Sequence, residues 1–394
     1  MVTANRIEIS WLDGLRGTAA LVVVAFHAFL FTGRTGDAAA AMPVWGAIVG
    51  QGYLGVPVFI VLSGYVLMLP VVRGGAGTFR NGIADFLKRR ARRILPPYFA
   101  ALLFSLALIA AVPLLQSPSG TQWDSKIPID LPSVLSHVFL LQDLSPQWIE
   151  KINGPMWSVA VEWQIYFLMP LVLLPLWRRM PHVVVVAAIT AVLLVPAFVG
   201  YGAYLHPWLV GLFAMGMFAA ELTLSERLPR WLPWGAGATG LAAVAVFVAS
   251  ALRGTDLLPF KEVVAGGLIA LLLAWGGWRE VNGRRVRPLR VFAARPMLYL
   301  GLISYSIYLF HSPLLGLANL VLLPLGLPTV VQYLVMTFVA APLAVAVAWG
   351  MFHLVERHFL NRRQSRVEAA VHHEQTPSAA PAHVRSARQA GPAA

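Results

Sequence analysis

Ten apolar runs of about twenty residues set the terms for this chain. They lie near 9–31, 48–70, 94–115, 155–177, 183–201, 203–221, 233–252, 259–278, 297–318 and 329–354. About twenty apolar residues in a helix cross the hydrocarbon core of a bilayer. In lipid, every backbone polar group must be satisfied within the segment, which favours helices. The pattern therefore predicts an all-α polytopic membrane protein of about ten transmembrane helices. The runs ending at 201 and starting at 203 are parted only by a Gly-Tyr-Gly turn. Only 12% of the residues are charged, about half the share of a soluble domain. The chain has no cysteine, which excludes disulfides, thiolate catalysis and cysteine-ligated metal. No cleavable signal is expected, because the first run is long and carries polar residues.

The net charge of +13 raises nucleic acid as a partner, but the basic residues stand in blocks at the ends of apolar runs. With the N-terminus inside, 24 lysines and arginines fall on the cytoplasmic side and 5 on the outer side, with Arg16 inside the first run. That asymmetry predicts both termini in the cytoplasm of a multi-pass cell-membrane protein, bound to a lipid bilayer and to no nucleic acid. Residues 1–360 form the membrane domain. The tail 361–394, rich in Ala, Pro, Arg and His, reads as disordered. His372 and His373 belong to that composition, and no metal site is expected. The longest outer loop, about 116–154, is acidic on balance and holds Trp123 and Trp148. It is the natural place for a lid or an acceptor-binding surface.

The first run, "LDGLRGTAALVVVAFHAFLF", contains Asp13, Arg16 and His27. Eleven residues separate Arg16 from His27, which is about 16 Å along a helix and three turns plus roughly 20°. The two side chains share one stripe, with Asp13 close to it. Buried charges in a bilayer are expensive, so the stripe should face protein or a cavity. Snorkelling for Arg16 and helix-packing contact for His27 are the bland alternatives. Glu162 in "WSVAVEWQIYF" and His311 in "SYSIYLFHSPLL" reach depths similar to that of His27 on the same count. A histidine with a carboxylate is suited to general-base work. The block "FLKRRARRILPPYF" carries Lys88, Arg89, Arg90, Arg92 and Arg93. Such blocks commonly set topology or meet anionic lipids, and guanidinium forks also bind phosphates. In "GYLGVPVFIVLSGYVLMLP", Gly52, Gly55 and Gly64 allow close helix approach. Ser63 supports the polar interior, with no adjacent base to make it a nucleophile. His353 and Glu356 are suited to finishing a helix or joining a salt bridge.

Taken in order, "LDGLRG…FH", "GVPVFIVLSGY", "RRARRILPPY", "WSVAVEWQIYF" and "SYSIYLFHSPLL" resemble the membrane-bound acyltransferase 3 family over about residues 8–358. The resemblance implies transfer of an acyl group, usually acetyl, from cytoplasmic acyl-coenzyme A to a hydroxyl. The acyl-CoA acts as co-substrate, with no permanently bound cofactor. The acceptor is a carbohydrate, glycolipid or macrolide. His27 takes the place of the family's catalytic histidine, while Arg16 and an arginine pair before the third run are the other essential positions. Arg90 and Arg92 fit that pair, and Arg89 and Arg93 leave other registers open. Glu162, to orient or charge-balance His27, and His311, to assist it or bind the acceptor, join it as candidate catalytic residues. Many members carry a further hydrolase-like domain after the last span; none is expected here, so the membrane domain itself would hold the acceptor. Direct transfer with His27 as base and transfer through an acyl-histidine are both open. Buried ionisable residues also suit a proton-coupled transporter or flippase of a glycan or lipid-linked sugar.

Overall fold

The computed structural model describes residues 9–360 apart from 76, 201, 255 and 256. The tail expected to be disordered, with His372 and His373, lies outside the described residues. These residues form helices and no strands. Ten helices are long and apolar enough to cross a membrane. We number them α1 (Trp11–Phe31), α2 (Gly55–Arg73), α3 (Gly82–Ala111), α4 (Met156–Trp177) and α5 (His182–Val199). There follow α6 (Leu209–Leu224), α7 (Leu232–Arg253), α8 (Leu258–Val281), α9 (Arg295–Leu322) and α10 (Thr329–Leu354). The fifth and sixth runs are separate helices, α5 ending at Val199 and α6 beginning at Leu209.

The largest departure from the sequence reading is α3. It begins at Gly82 rather than near 94 and runs for 30 residues, about 45 Å. Residues 83–93 contain strong helix formers and no breaker, so the basic block continues the helix. The arginines are thereby held at fixed angles around α3. The π turns Met169–Leu173 in α4 and Met336–Ala340 in α10 interrupt otherwise regular helices.

The bundle is built around α1, α2, α6 and α9. Small residues let their backbones touch. Gly17 of α1 lies against the backbone of Gly301 in α9, and a Cβ built on Gly301 would stand 1.9 Å from the Asp13 carbonyl oxygen. Higher up, His27 meets His311. At the end of α1, Gly33 takes a left-handed φ of +71°. Its N–H donates to Asn319 Oδ1 at 2.8 Å and its carbonyl accepts from Asn319 Nδ2 at 2.9 Å. The two helices are therefore parallel along their whole shared length. Gly52 and Gly55 bring α2 against α1, and Gly64 brings it against Phe213 of α6. By contrast, α5 buries only Val185 and Thr190, and α7 only Leu232 and Ser250. These two helices form an apolar rim suited to lipid.

The segment 112–155 is packed rather than open. Trp123 is fully buried against Gly316 of α9. Asn153 Nδ2 donates to the Leu309 carbonyl at 2.8 Å, which draws the start of α4 down beside the middle of α9.

Candidate active site

Arg16 and Asp13 form an i,i+3 pair, Nη1 to Oδ1 at 3.2 Å. Both line a cavity of about 150 Å³ between α1, α2, α3, α4 and α9. Arg90 and Arg93 reach the same cavity from α3, Ser63 from α2, and Glu162 with Tyr166 from α4. The Glu162 carboxylate accepts from Ser63 Oγ and from the Tyr166 hydroxyl. Arg93 Nη2 donates to Glu356 Oε1 at 2.6 Å, and the other Glu356 oxygen accepts from the Ser306 N–H at 3.0 Å. Glu356 thus joins a salt bridge, one of the two roles its position suggested. Arg90 Nε and Arg93 Nη1 are buried and have no hydrogen-bond partner among the described residues. A buried donor without an acceptor costs roughly 1–3 kcal/mol, more when charged. Acceptor oxygens on an anion are the chemistry that would satisfy both donors.

Arg90 and Arg93 share a face because three residues turn a helix by about 300°. Arg92 is exposed, two residues from Arg90 and on another face. Arg89 is half-exposed and paired with Asp85 on its own helix. The structure therefore brings Arg16, Arg90 and Arg93 together and leaves Arg89 and Arg92 outside the cavity.

His27 lines a second cavity, of about 170 Å³, with Tyr53, Gln122, Lys126, Glu150 and Trp157. Its Nδ1 lies 2.9 Å from the Val23 carbonyl oxygen and 3.2 Å from His311 Nε2. His311 Nδ1 lies 3.0 Å from the Ile307 carbonyl oxygen. A carbonyl only accepts, so His311 carries its proton on Nδ1 and presents a bare Nε2. His27 Nδ1 then faces two acceptors and must hold the hydrogen. The proton-accepting lone pair of His27 is left on Nε2.

Val56 and Tyr308 line both cavities. The Tyr308 hydroxyl is hydrogen-bonded to Ser158 Oγ at 2.7 Å. The two spaces are thus back to back, with Tyr308 in the wall between them.

Glu162 sits with the arginines rather than beside His27, which differs from the matched depth read in the sequence. That depth assumed α4 to start at the membrane surface. Asn153 instead anchors it next to Leu309, and six further residues carry Glu162 about 9 Å deeper. Sequence reasoning also passed over Lys126, Glu150, Ser158, Tyr166 and Tyr308. Ser158 and Tyr166 stand one helical turn either side of Glu162, and Tyr308 stands three residues before His311, so helical spacing carried a signal for those three. Lys126 and Glu150 come from irregular backbone, where spacing carries none.

The segment 112–155 holds several perturbed groups. Burial pushes the Lys126 ammonium down, and the Lys126 charge pulls the Glu150 carboxyl down. Burial raises Asp143 to about 6, against two hydrogen bonds from Gln164 Nε2. Burial lowers His137 to about 4.

Over residues 9–353 the chain matches the acyltransferase 3 model, described as an acyltransferase domain. The chain belongs to the acyltransferase 3 family. It is 24% identical over 334 residues to the O-acetyltransferase OatA of Staphylococcus aureus (strain NCTC 8325 / PS 47), covering 78% of this chain and 51% of that one. It is 25% identical over 349 residues to YrhL of Bacillus subtilis (strain 168), named as a candidate peptidoglycan O-acetyltransferase, covering 80% of this chain and 50% of that one. BcsY of Komagataeibacter xylinus, named as a candidate membrane-bound transacylase, is 30% identical over 344 residues, covering 79% of this chain and 74% of that one. The acyltransferase chain spans about half the length of the first two relatives. No solved structure matches it.

Proposed function

We propose that this acyltransferase is an integral-membrane O-acyltransferase that moves an acyl group, acetyl by preference, from acyl-CoA to a hydroxyl of a carbohydrate-containing acceptor. The observation that carries the reading is the pair of back-to-back cavities, arginines in one and His27 in the other. Donor phosphates bind Arg16, Arg90 and Arg93, and Arg90 Nε and Arg93 Nη1 are buried donors without acceptors among the described residues. A pantetheine arm of about 20 Å matches the ~16 Å rise from Arg16 to His27. The arm passes Tyr308 and brings the thioester to the His27 cavity. There His27 Nε2 takes the acceptor's hydroxyl proton as the oxygen attacks the thioester carbon. His311 is a positioning residue, holding the His27 proton on Nδ1. Glu162 balances the arginines rather than the base.

The arginine excess at one end of the bundle supports an orientation with that end in the cytoplasm of a cell-membrane protein, where acyl-CoA is available. The His27 cavity then faces the outer side, beneath the 112–155 segment. The relatives' names point to peptidoglycan or another surface polysaccharide as the acceptor. Tyr53 and Trp157 supply aromatic surface of the kind sugar rings pack against.

The test is release of free CoA thiol by the purified protein in lipid nanodiscs, with acetyl-CoA and a muropeptide or polysaccharide acceptor. His27→Ala should lower acceptor-dependent release by about 100- to 10,000-fold and leave the thermal unfolding midpoint near that of the wild type. Full release by a folded His27→Ala protein would overturn the assignment. Acceptor movement without thiol release would favour a transporter.

A further inference from the structure

One buried charge in the His27 cavity has no part in the mechanism so far. Lys126 ends the short 3-10 turn Gln122–Lys126 and is 4% exposed. It lies in the outer segment, where a long side chain can ordinarily reach water. Two unfavourable effects bear on it. Burial opposes its charge. Its ammonium also packs over Gly154, where a Cβ would stand 2.8 Å from Nζ, just ahead of the first turn of α4. The helix dipole leaves partial positive charge at such a start, which repels a cation. The compensating partner is Glu150, whose Oε2 accepts from Nζ at 2.9 Å and whose side chain is 49% exposed. An ammonium has three N–H bonds, and Glu150 takes one. Among the described residues that line this cavity, Lys126 is the one lysine or arginine.

We infer that Lys126 is a catalytic residue of the acyl transfer, whose ammonium meets the negative charge that develops on the thioester oxygen. The inference rests on the reading of His27 as base and a thioester as donor. As the acceptor oxygen bonds to the carbonyl carbon, its proton passes to His27 Nε2. The C=O π pair moves onto oxygen, where a Lys126 N–H receives it. When the C=O bond re-forms, the C–S bond breaks, and the thiolate takes the proton back from His27. A fixed donor aimed at developing charge in a water-poor site is the arrangement that lowers such a barrier. Glu150 fixes the ammonium at the cavity from its solvent side.

The absence of cysteine from the chain allows a direct test in nanodiscs. Lys126→Met should lower kcat by about 100- to 1,000-fold, with KM for acetyl-CoA changed by less than about threefold. Lys126→Cys should be equally slow. Alkylation of that single thiol with bromoethylamine, before substrate is added, rebuilds an ammonium and should restore kcat by at least about tenfold. Alkylation with iodoethane adds no charge and should restore nothing. Both measurements use one protein preparation, so a folding defect cannot imitate the difference. If neither variant accumulates folded, Lys126→Arg decides: kcat within about tenfold of the wild type supports the inference, and a loss beyond about 100-fold in folded protein counts against it. A Lys126→Met protein at full kcat, alongside an inactive His27→Ala, overturns this inference and leaves the His27 reading standing. Activity in His27→Ala instead overturns that reading.

Discussion

Arg90 and Arg93 do different work from Arg89 and Arg92, and the consequence is measurable. Arg90 and Arg93 point unpaired donors into a cavity, whereas Arg89 and Arg92 are turned away from it. Arg90→Gln or Arg93→Gln should weaken acetyl-CoA binding by about tenfold or more, since a charge-assisted hydrogen bond contributes roughly 1.5–3 kcal/mol. Arg89→Gln and Arg92→Gln should leave the affinity within about twofold of the wild type, as exposed charges do. Isothermal titration calorimetry on the nanodisc protein separates the two sets. His137 supplies a second measurable effect. Its Nδ1 donates to the Ser133 carbonyl at 2.8 Å and its Nε2 is buried without a partner. Protonation would place an uncompensated charge there, so its pKa falls from the usual 6.5 to about 4. Between those values the unfolded segment binds a proton that the folded one refuses. Stability is therefore full above about pH 6.5 and declines as the pH drops toward 4, by up to about 3 kcal/mol. Hydrogen exchange, corrected for its intrinsic pH dependence, should show residues 116–154 losing protection over that window. His137→Asn should flatten the loss.

The helices were legible in the sequence because bilayer thickness forces a length and a composition on each one. Their order was legible too, and so was the stripe on α1, since helical geometry alone puts Arg16 and His27 on one side. Depth was not legible for α4. It depends on Asn153 reaching across to Leu309, a contact between residues 156 positions apart. The register of the arginines was hidden for a different reason. Any of four arginines can face inward until the rotation of α3 is fixed by its packing. Lys126 and Glu150 were beyond reach because loops have no period to read. The parallel pair α1 and α9 offers a sharper test. At Gly301 an added methyl meets the backbone of Asp13, and backbone cannot rotate away. Gly301→Ala should destabilise the protein by about 1–3 kcal/mol or more. It should also displace Arg16, so that donor affinity falls together with the thermal unfolding midpoint. Gly350→Ala, with open space around its Cβ, is the control.

The bundle as a whole sets its polar chemistry inside a sleeve of lipid-facing helices. Both cavities draw on α1, α2, α4 and α9, and three of these four belong to the packed centre of the bundle. A slow, rigid scaffold is suited to holding an arm of fixed length between two fixed points. The wall at Val56 and Tyr308 has a further meaning for the cell. A membrane that stores energy as an ion gradient tolerates no standing hole, yet the proposed reaction would bring an acyl group across it. Val56 and Tyr308, the latter tied to Ser158, stand between the two vestibules, and on the proposed reading that wall is what closes the resting protein to ions. When the wall yields, it yields to a slender arm that fills the gap it opens. On the proposed reading, turnover would then proceed as a plug moving in a sleeve, without the leak current of a simple pore.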